Sequence, residues 1–269
     1  MIRSAQGTRR TLQLAAGTVA ALLAVSACSS SDAAPGKDAS SSSELSGTVT
    51  VFAAASLQES FEKLGTAFEK QHPGTEITFS FGGSDSLAAG INSGAPADVF
   101  AAASPTTMAL VTDQRATAGT PATFVRNRLQ IATLPGNPDR ITSLKDLAKP
   151  GLKVVLCDRT VPCGAAAQKA LKAGGLKVTP VSYEQDVKSA LTKVELKEAD
   201  AAVVYRTDVR AAGDKVDGVD FPESAGAVND YPIALLDNAR NPGTAKAFIA
   251  LVRSAEGRKV LSGAGFLEP

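Results

Sequence analysis

The chain has 269 residues, with 28 basic and 27 acidic side chains and a formal net charge of +1. It has no run of basic residues and a single histidine, which argues against a nucleic-acid partner and against a zinc site. The length allows one large domain or two domains of ordinary size.

Residues 1–27 have the layout of an export signal. Three arginines precede the uncharged apolar stretch 12–25, and small residues then lead to Cys28. This ending resembles a bacterial lipobox, which predicts that Cys28 is lipidated and holds the chain on the outer face of the cell membrane. A transmembrane anchor and an ordinary signal peptide are the alternatives, but the apolar stretch is shorter than the roughly 20 residues that span a bilayer. Both Sec and twin-arginine export remain open.

Residues 28–46 are rich in serine and poor in large apolar side chains. Such a segment cannot bury enough surface to offset the entropy of ordering it, so it is predicted to be a flexible tether. Without the three arginines of the leader, 25 basic side chains face 27 acidic ones. The exported chain therefore has no basic excess.

After residue 46, apolar segments of strand length alternate with helical patterns. Strands are predicted at 48–54, 76–81, 98–103, 128–133, 153–156, 178–181, 201–205 and 231–236. Helices are predicted at 57–71, 86–92, 105–113, 143–148, 164–173, 185–194, 208–212 and 244–261. The alternation predicts an α/β fold with largely parallel sheets.

Four of the strand-to-helix junctions look alike, because each has small residues or good N-cap residues where a helix begins. They lie at 55–57, 82–87, 161–164 and 183–187. Ligands of open α/β sheets bind beyond the carboxyl ends of the strands, where such junctions gather. Plain helix capping would explain each junction alone. Together they favour an anion held by backbone N–H groups and helix dipoles.

Cys157 and Cys163 are the two cysteines of the folded part of the chain. An exported chain meets an oxidising environment, so a disulfide is favoured. Two small buried thiols are the alternative.

Four motifs occur in an order that is recognisable. They are VFAAASL at 51–57, GAPADVF at 94–100, VPCG at 161–164 and VVYRTDV at 203–209. With these motifs the chain resembles the periplasmic molybdate-binding proteins of ABC importers, over residues 47–269. The resemblance implies the type II periplasmic-binding fold, in which two α/β lobes are joined by a hinge and the ligand lies in the cleft between them. Lobe 1 would be residues 47–123 plus 231–269, and lobe 2 would be residues 124–230.

The resemblance also implies five contacts to a tetrahedral oxyanion. These are the hydroxyl and N–H of Ser56, the serine Ser84, the backbone N–H groups of Cys163 and Val187, and the phenol of Tyr205. The Cys163 side chain then stays free to pair with Cys157. All these groups are neutral donors, so they suit a fully deprotonated dianion better than phosphate, whose proton needs an acceptor. Molybdate and tungstate are not distinguished by the sequence, and sulfate is the alternative ligand.

The resemblance further implies a membrane permease and its ATPase as partners, a monomer, no cofactor and no direct metal ligands. An enzyme is the competing class, since Ser56 lies on a strand-to-helix turn. The motif lacks the Gly-x-Ser-x-Gly pattern of a nucleophile elbow. The only histidine, His72, lies at the far end of the helix that Ser56 opens, about 22 Å away at 1.5 Å per residue. The sequence therefore predicts a binding protein and not an enzyme.

Two charged residues depart from the pattern of the resembled family. Asp85 follows Ser84, and it is expected to face outward and stabilise a helix N-terminus rather than to point at the anion. Arg159 lies between the two cysteines. It is expected to be solvated at the rim of the cleft, or alternatively to speed the arrival of anions.

Overall fold

Two five-stranded sheets organise the computed structural model, which describes residues 45–269. The predicted signal peptide, Cys28 and nearly all of the tether 28–46 lie outside the described residues. Both sheets are mixed, with parallel and antiparallel neighbours.

The first sheet has the strand order β2-β1-β3-β10-β4. Its strands are β1 Gly47–Ala54, β2 Thr75–Gly82, β3 Val99–Ala101, β4 Ala122–Asn127 and β10 Asn229–Leu235. Strand β1 runs parallel to β2 and β3, whereas β10 runs antiparallel to β3 and β4.

The second sheet has the order β7-β6-β8-β5-β9. Its strands are β5 Leu129–Thr133, β6 Val154–Cys157, β7 Ser182–Glu184, β8 Ala201–Tyr205 and β9 Asp217–Val219. Strand β8 is parallel to β6 and antiparallel to β5. Its five residues are all buried, as expected for a strand covered on both faces.

Eight α-helices of the described chain cover these sheets. They are α1 Gln58–Gln71, α2 Ser84–Asn92, α3 Pro105–Thr112, α4 Pro162–Ala173, α5 Val187–Glu195, α6 Arg206–Ala212, α7 Pro242–Arg253 and α8 Ala255–Ala264. Separate apolar clusters form around each sheet. We call the first sheet with α1, α2, α3, α7 and α8 the first lobe, and the second sheet with α4, α5 and α6 the second lobe.

The chain passes from one sheet to the other between β4 and β5, and it returns between β9 and β10. The two-lobed α/β fold predicted from the sequence is confirmed. The predicted lobe boundaries after residues 123 and 230 stay a prediction. Strands β4 and β10 extend across these positions while still pairing within the first sheet.

Several details of the predicted elements were wrong. The sheets are mixed instead of largely parallel, because β5 and β10 each run against their neighbours. The strand expected at 178–181 lies a few residues later, as β7. The helix predicted over 143–148 is a 3₁₀-helix at Leu144–Ala148. Strands β4 and β9 were not predicted at all.

The long closing helix predicted over 244–261 is divided into α7 and α8. Ser254 separates them in an extended conformation, and its hydroxyl accepts a hydrogen bond from the N–H of Gly257. This serine is an N-cap, a role that the surrounding apolar periodicity concealed. Among residues 45–269, no helix is long and apolar enough to cross a membrane.

Candidate functional site

A small cavity of about 20 Å³ lies where the two lobes meet, at the carboxyl ends of β1, β2, β6 and β8. The structure brings all five residues implied by the resemblance to this one place. Ser56 and Ser84 line it from the first lobe, and Cys163, Val187 and Tyr205 line it from the second lobe. All five are at least nine-tenths buried.

Helices α2, α4 and α5 each point their N-terminus at the cavity. Helix α2 begins at Ser84 and α4 at Pro162, and neither has an N-cap side chain bonded to its first N–H groups. The first turn of a helix leaves up to four N–H groups without intrahelical partners. In α2 and α4, the N-cap side chain accepts no hydrogen bond from these groups. These N–H groups and the aligned dipoles favour a negative ligand.

Tyr205 ends β8 and contributes the least satisfied polar group of the site. Its side chain is 1% exposed, and its hydroxyl has no hydrogen-bond partner among the described residues. Burial raises the pKa of the phenol well above 10, and the neighbouring Tyr231 and Asp208 raise it further. The hydroxyl is therefore protonated at physiological pH and available as a donor.

The two serine hydroxyls each have a buried hydrogen-bond partner within the first lobe. The Oγ of Ser84 accepts a hydrogen bond of 3.0 Å from the N–H of Ala103, which leaves the hydroxyl hydrogen free for another acceptor. The Oγ of Ser56 lies 2.8 Å from the hydroxyl of Tyr231. Ser56 itself belongs to a 3₁₀ turn at Ala55–Leu57 that joins β1 to α1.

Two glycines allow the close approaches on which the cavity depends. A Cβ on Gly83 would lie 2.5 Å from the carbonyl oxygen of Gln185, so a larger residue there would push the lobes apart. A Cβ on Gly164 would lie 1.8 Å from the carbonyl oxygen of Asp158, within the turn that opens α4. A disulfide joins Cys157 and Cys163 across this turn, with their Cα atoms 5.9 Å apart.

Among the described residues, the cavity is lined by no lysine or arginine and by one acid, Asp186. Its carboxylate accepts from the N–H and the hydroxyl of Ser189, both at 2.9 Å, and so caps α5. Asp186 lies in the predicted junction 183–187, where an aspartate directly before a helix is the usual N-cap signal, but it was not among the predicted site residues.

The two charged residues that departed from the family pattern do not line the cavity. Asp85 is half-buried in the first turn of α2, where a carboxylate stabilises the helix dipole. Arg159 is exposed and its guanidinium lies 5.8 Å from the centre of the Tyr183 ring.

An ion cluster of Glu59, Lys188 and Asp208 lies beside the cavity, and it was not predicted from the sequence. The Lys188 ammonium lies 2.5 Å from a carboxylate oxygen of Glu59 in the first lobe and 3.4 Å from one of Asp208 in its own lobe. Burial raises the pKa of Asp208 to about 6, although Lys188 opposes the shift. Burial alone would lower the pKa of Lys188, but Asp208 and Glu59 together raise it.

Residues 49–267 match the family model of bacterial extracellular solute-binding proteins. The chain is 39% identical to the molybdate-binding protein ModA of Mycobacterium tuberculosis, over 97% of this chain and all of that protein. Two solved structures are similar in fold: the periplasmic molybdate-binding protein of Azotobacter vinelandii and the sulfate-binding protein SubI of M. tuberculosis. Their TM-scores are 0.72 and 0.70, at 21% and 19% identity, and they cover 82% of this chain and 99% and 86% of their own chains.

Proposed function

The chain belongs to the family of bacterial extracellular solute-binding proteins, and from this premise we propose that it captures molybdate in the cavity between its lobes. The family binds solutes for import and does not transform them, so the bound anion is cargo and the chain is neither an enzyme nor the holder of a cofactor. The relatives named as molybdate-binding support the choice of anion.

The observation that carries the proposal is the unpartnered phenol of Tyr205. A buried hydroxyl without a hydrogen bond costs about 1–3 kcal/mol, and this one lines a cavity that three helix N-termini face. An anionic oxygen in the cavity would satisfy both the phenol and the free N–H groups. Ser56, Ser84, Cys163 and Val187 complete the proposed contacts, the last two through their backbone N–H groups.

The donor set also supports a fully deprotonated dianion. Neutral donors bind such an anion by charge-assisted hydrogen bonds and need no cation beside it. Hydrogen phosphate would bring a proton that requires an acceptor, and the carboxylate of Asp186 already accepts two hydrogen bonds within α5. Tungstate has the same shape and charge as molybdate and is proposed as a second ligand. Sulfate has the same charge and is the alternative if the cavity selects a smaller anion.

The cellular role follows from the family and the leader. We propose that the chain is exported, lipidated at Cys28 and tethered by residues 28–46 on the outer face of the membrane. There it would work as a monomer that closes its lobes on the anion and delivers it to a membrane permease driven by an ATPase. Replacing Cys28 by alanine should release the protein from the membrane fraction. Retention of that variant in the membrane would contradict lipid anchoring.

Calorimetric titration of the purified protein with molybdate, tungstate, sulfate and phosphate tests the ligand. We expect heat of binding and a raised melting temperature with molybdate and tungstate, weaker binding of sulfate and none of phosphate. Binding of sulfate alone would replace molybdate by the alternative. Absence of any response to the first two anions would refute the proposal.

A further inference from the structure

Behind Ser56 lies a chain of buried hydrogen bonds that the contacts to the anion do not include. The hydroxyl of Tyr231 lies 2.8 Å from the Oγ of Ser56, and it accepts a hydrogen bond of 3.3 Å from the Nδ2 of Asn127. Tyr231 and Asn127 have no solvent-exposed surface, and Ser56 is 4% exposed. None of the four sequence motifs contains Tyr231 or Asn127.

The orientation of the Asn127 amide sets the direction of this chain. Its Oδ1 accepts from the backbone N–H of Arg128 at 3.0 Å, so the other end of the amide is the donor group. That Nδ2 donates to the Oγ1 of Thr207 at 2.8 Å and to the hydroxyl of Tyr231. A phenol that accepts from Asn127 has its own hydrogen left for Ser56. If Tyr231 gives this hydrogen to Ser56, the Oγ of Ser56 is the acceptor of that bond and the serine hydrogen is left for a ligand in the cavity.

We propose that Tyr231 and Asn127 are positioning residues that hold the Ser56 hydroxyl as a hydrogen-bond donor to the bound oxyanion. The inference rests on the proposed function, because it concerns the same cavity. It explains how a serine, which can donate or accept, is restricted to one role. Ser84 is restricted in the same way by the N–H of Ala103.

The backbone of β10 supports this role for Tyr231. The pairing of β10 with β4 shifts register between Tyr231 and Pro232, which is a bulge-like irregularity. Such irregularities redirect a side chain, and they are common beside binding sites. The ring of Tyr231 packs edge-on against that of Tyr205 at 6.0 Å between centroids, and against Phe266 at 5.5 Å. The phenol is therefore held between two rings while its hydroxyl reaches Ser56.

Burial raises the pKa of Tyr231 above its ordinary value, and the hydrogen bonds from its neighbours do not reverse the shift. The phenol keeps its proton throughout the physiological range. Asn127, Tyr231 and Ser56 all belong to the first lobe, so their chain of hydrogen bonds does not depend on closure of the lobes. Only the bond from Asn127 to Thr207 of α6 crosses to the second lobe.

A double-mutant cycle separates positioning from general support of the fold. Molybdate affinity is measured by calorimetry for the wild type, Tyr231→Phe, Ser56→Ala and the double variant. We expect Tyr231→Phe to weaken binding about 5- to 10-fold in the wild type, in line with the loss of one buried hydrogen bond. In the Ser56→Ala background the same change should have almost no effect, because no hydroxyl remains to be positioned. An equal loss in both backgrounds, or no loss in the wild type, would overturn the inference.

Selectivity gives a second readout from the same variants. Once Tyr231 is replaced by phenylalanine, the Ser56 hydroxyl can turn a lone pair toward the ligand and accept the proton of hydrogen phosphate. The ratio of molybdate affinity to phosphate affinity should fall in Tyr231→Phe, whereas Tyr183→Phe, which removes an exposed phenol, should leave it unchanged. An unchanged ratio in Tyr231→Phe would contradict the positioning role.

A measurement without ligand distinguishes failure of this inference from failure of the proposed function. In the ligand-free protein the Tyr231 hydroxyl hydrogen should be protected from solvent exchange and visible by NMR. The signal should vanish in Tyr231→Phe and shift in Asn127→Ala and Ser56→Ala. If no oxyanion binds but this signal behaves as expected, the proposed function fails and the hydrogen-bond chain stands. A hydroxyl that exchanges freely would refute the chain whatever anion binds.

Discussion

The binding cavity and the ion cluster lie side by side, and both join the two lobes, yet they are built from opposite kinds of groups. The cavity presents neutral donors, and its Tyr205 hydroxyl has no partner among the described residues. The ion cluster has three charged groups, and the ammonium of Lys188 pairs with the carboxylates of both Glu59 and Asp208. In our proposal the first contact between the lobes is left for a ligand, whereas in the second the charges pair with one another within the protein.

The comparison explains why a lysine next to the site does not take part in it. Lys188 directly follows Val187, but its ammonium is held by Glu59 and Asp208 and does not line the cavity. In our proposal, the anion is therefore bound by helix dipoles and by neutral donors, and Lys188 is not one of its contacts. The charges of the ion cluster pair with one another, so they do not use the neutral donors that line the cavity.

The largest effect should come from removing the cation of the ion cluster. Lys188→Met leaves Asp208 fully buried without its opposite charge, which typically costs about 3–5 kcal/mol. Urea unfolding of the ligand-free protein measures this loss of stability. Lys193→Met is the matched control on the same helix, since Lys193 pairs with the exposed Glu198, and its stability should match the wild type. Equal stability of Lys188→Met and the wild type would show that the cluster is not a structural contact.

The buried carboxylate of this cluster should also give the stability a pH dependence. Because burial raises the pKa of Asp208 from 3.8 to about 6, its contribution to stability is full below about pH 4 and is lost as the pH rises through 6. At 1.36 kcal/mol for each pKa unit, the loss is on the order of 2–3 kcal/mol. Unfolding of Asp208→Asn between pH 4 and 7 should lack this loss, whereas Asp113→Asn, at an exposed position, should keep it. Identical profiles for the wild type and Asp208→Asn would contradict the raised pKa.

On the cavity side, Tyr205→Phe should separate binding from stability. The variant loses a donor to a charged ligand, a bond worth about 1.5–3 kcal/mol, so molybdate affinity should fall about 10- to 100-fold. The ligand-free protein should lose no stability, because the Tyr205 hydroxyl has no partner there to lose. Calorimetry and thermal unfolding measure the two effects. Unchanged affinity would remove Tyr205 from the proposed site, and a loss of ligand-free stability would show that its hydroxyl is bonded within the protein.

Much of this protein could be predicted along the chain, where the physical signal is local. The strands at β1, β2 and β8 and the helices α1, α3 and α4 were predicted close to their observed positions, because apolar periodicity and helix-start residues specify them. The break at Ser254 was missed, since the apolar pattern continues through both helices and only the cap divides them. Strand β4 was missed because Phe124 and Val125 are its only large apolar residues, so the segment has no apolar run or alternation of strand length.

The sequence by itself predicted the α/β fold and, through its resemblance to a known family, five candidate contacts with neutral donor groups. Only the tertiary structure decided what surrounds them. Asn127, Tyr231 and Ser56 come from three separate segments, and so do the charges of Glu59, Lys188 and Asp208. Their hydrogen bonds and ion pairs depend on distances between segments that are far apart in the sequence, and only the folded chain sets those distances.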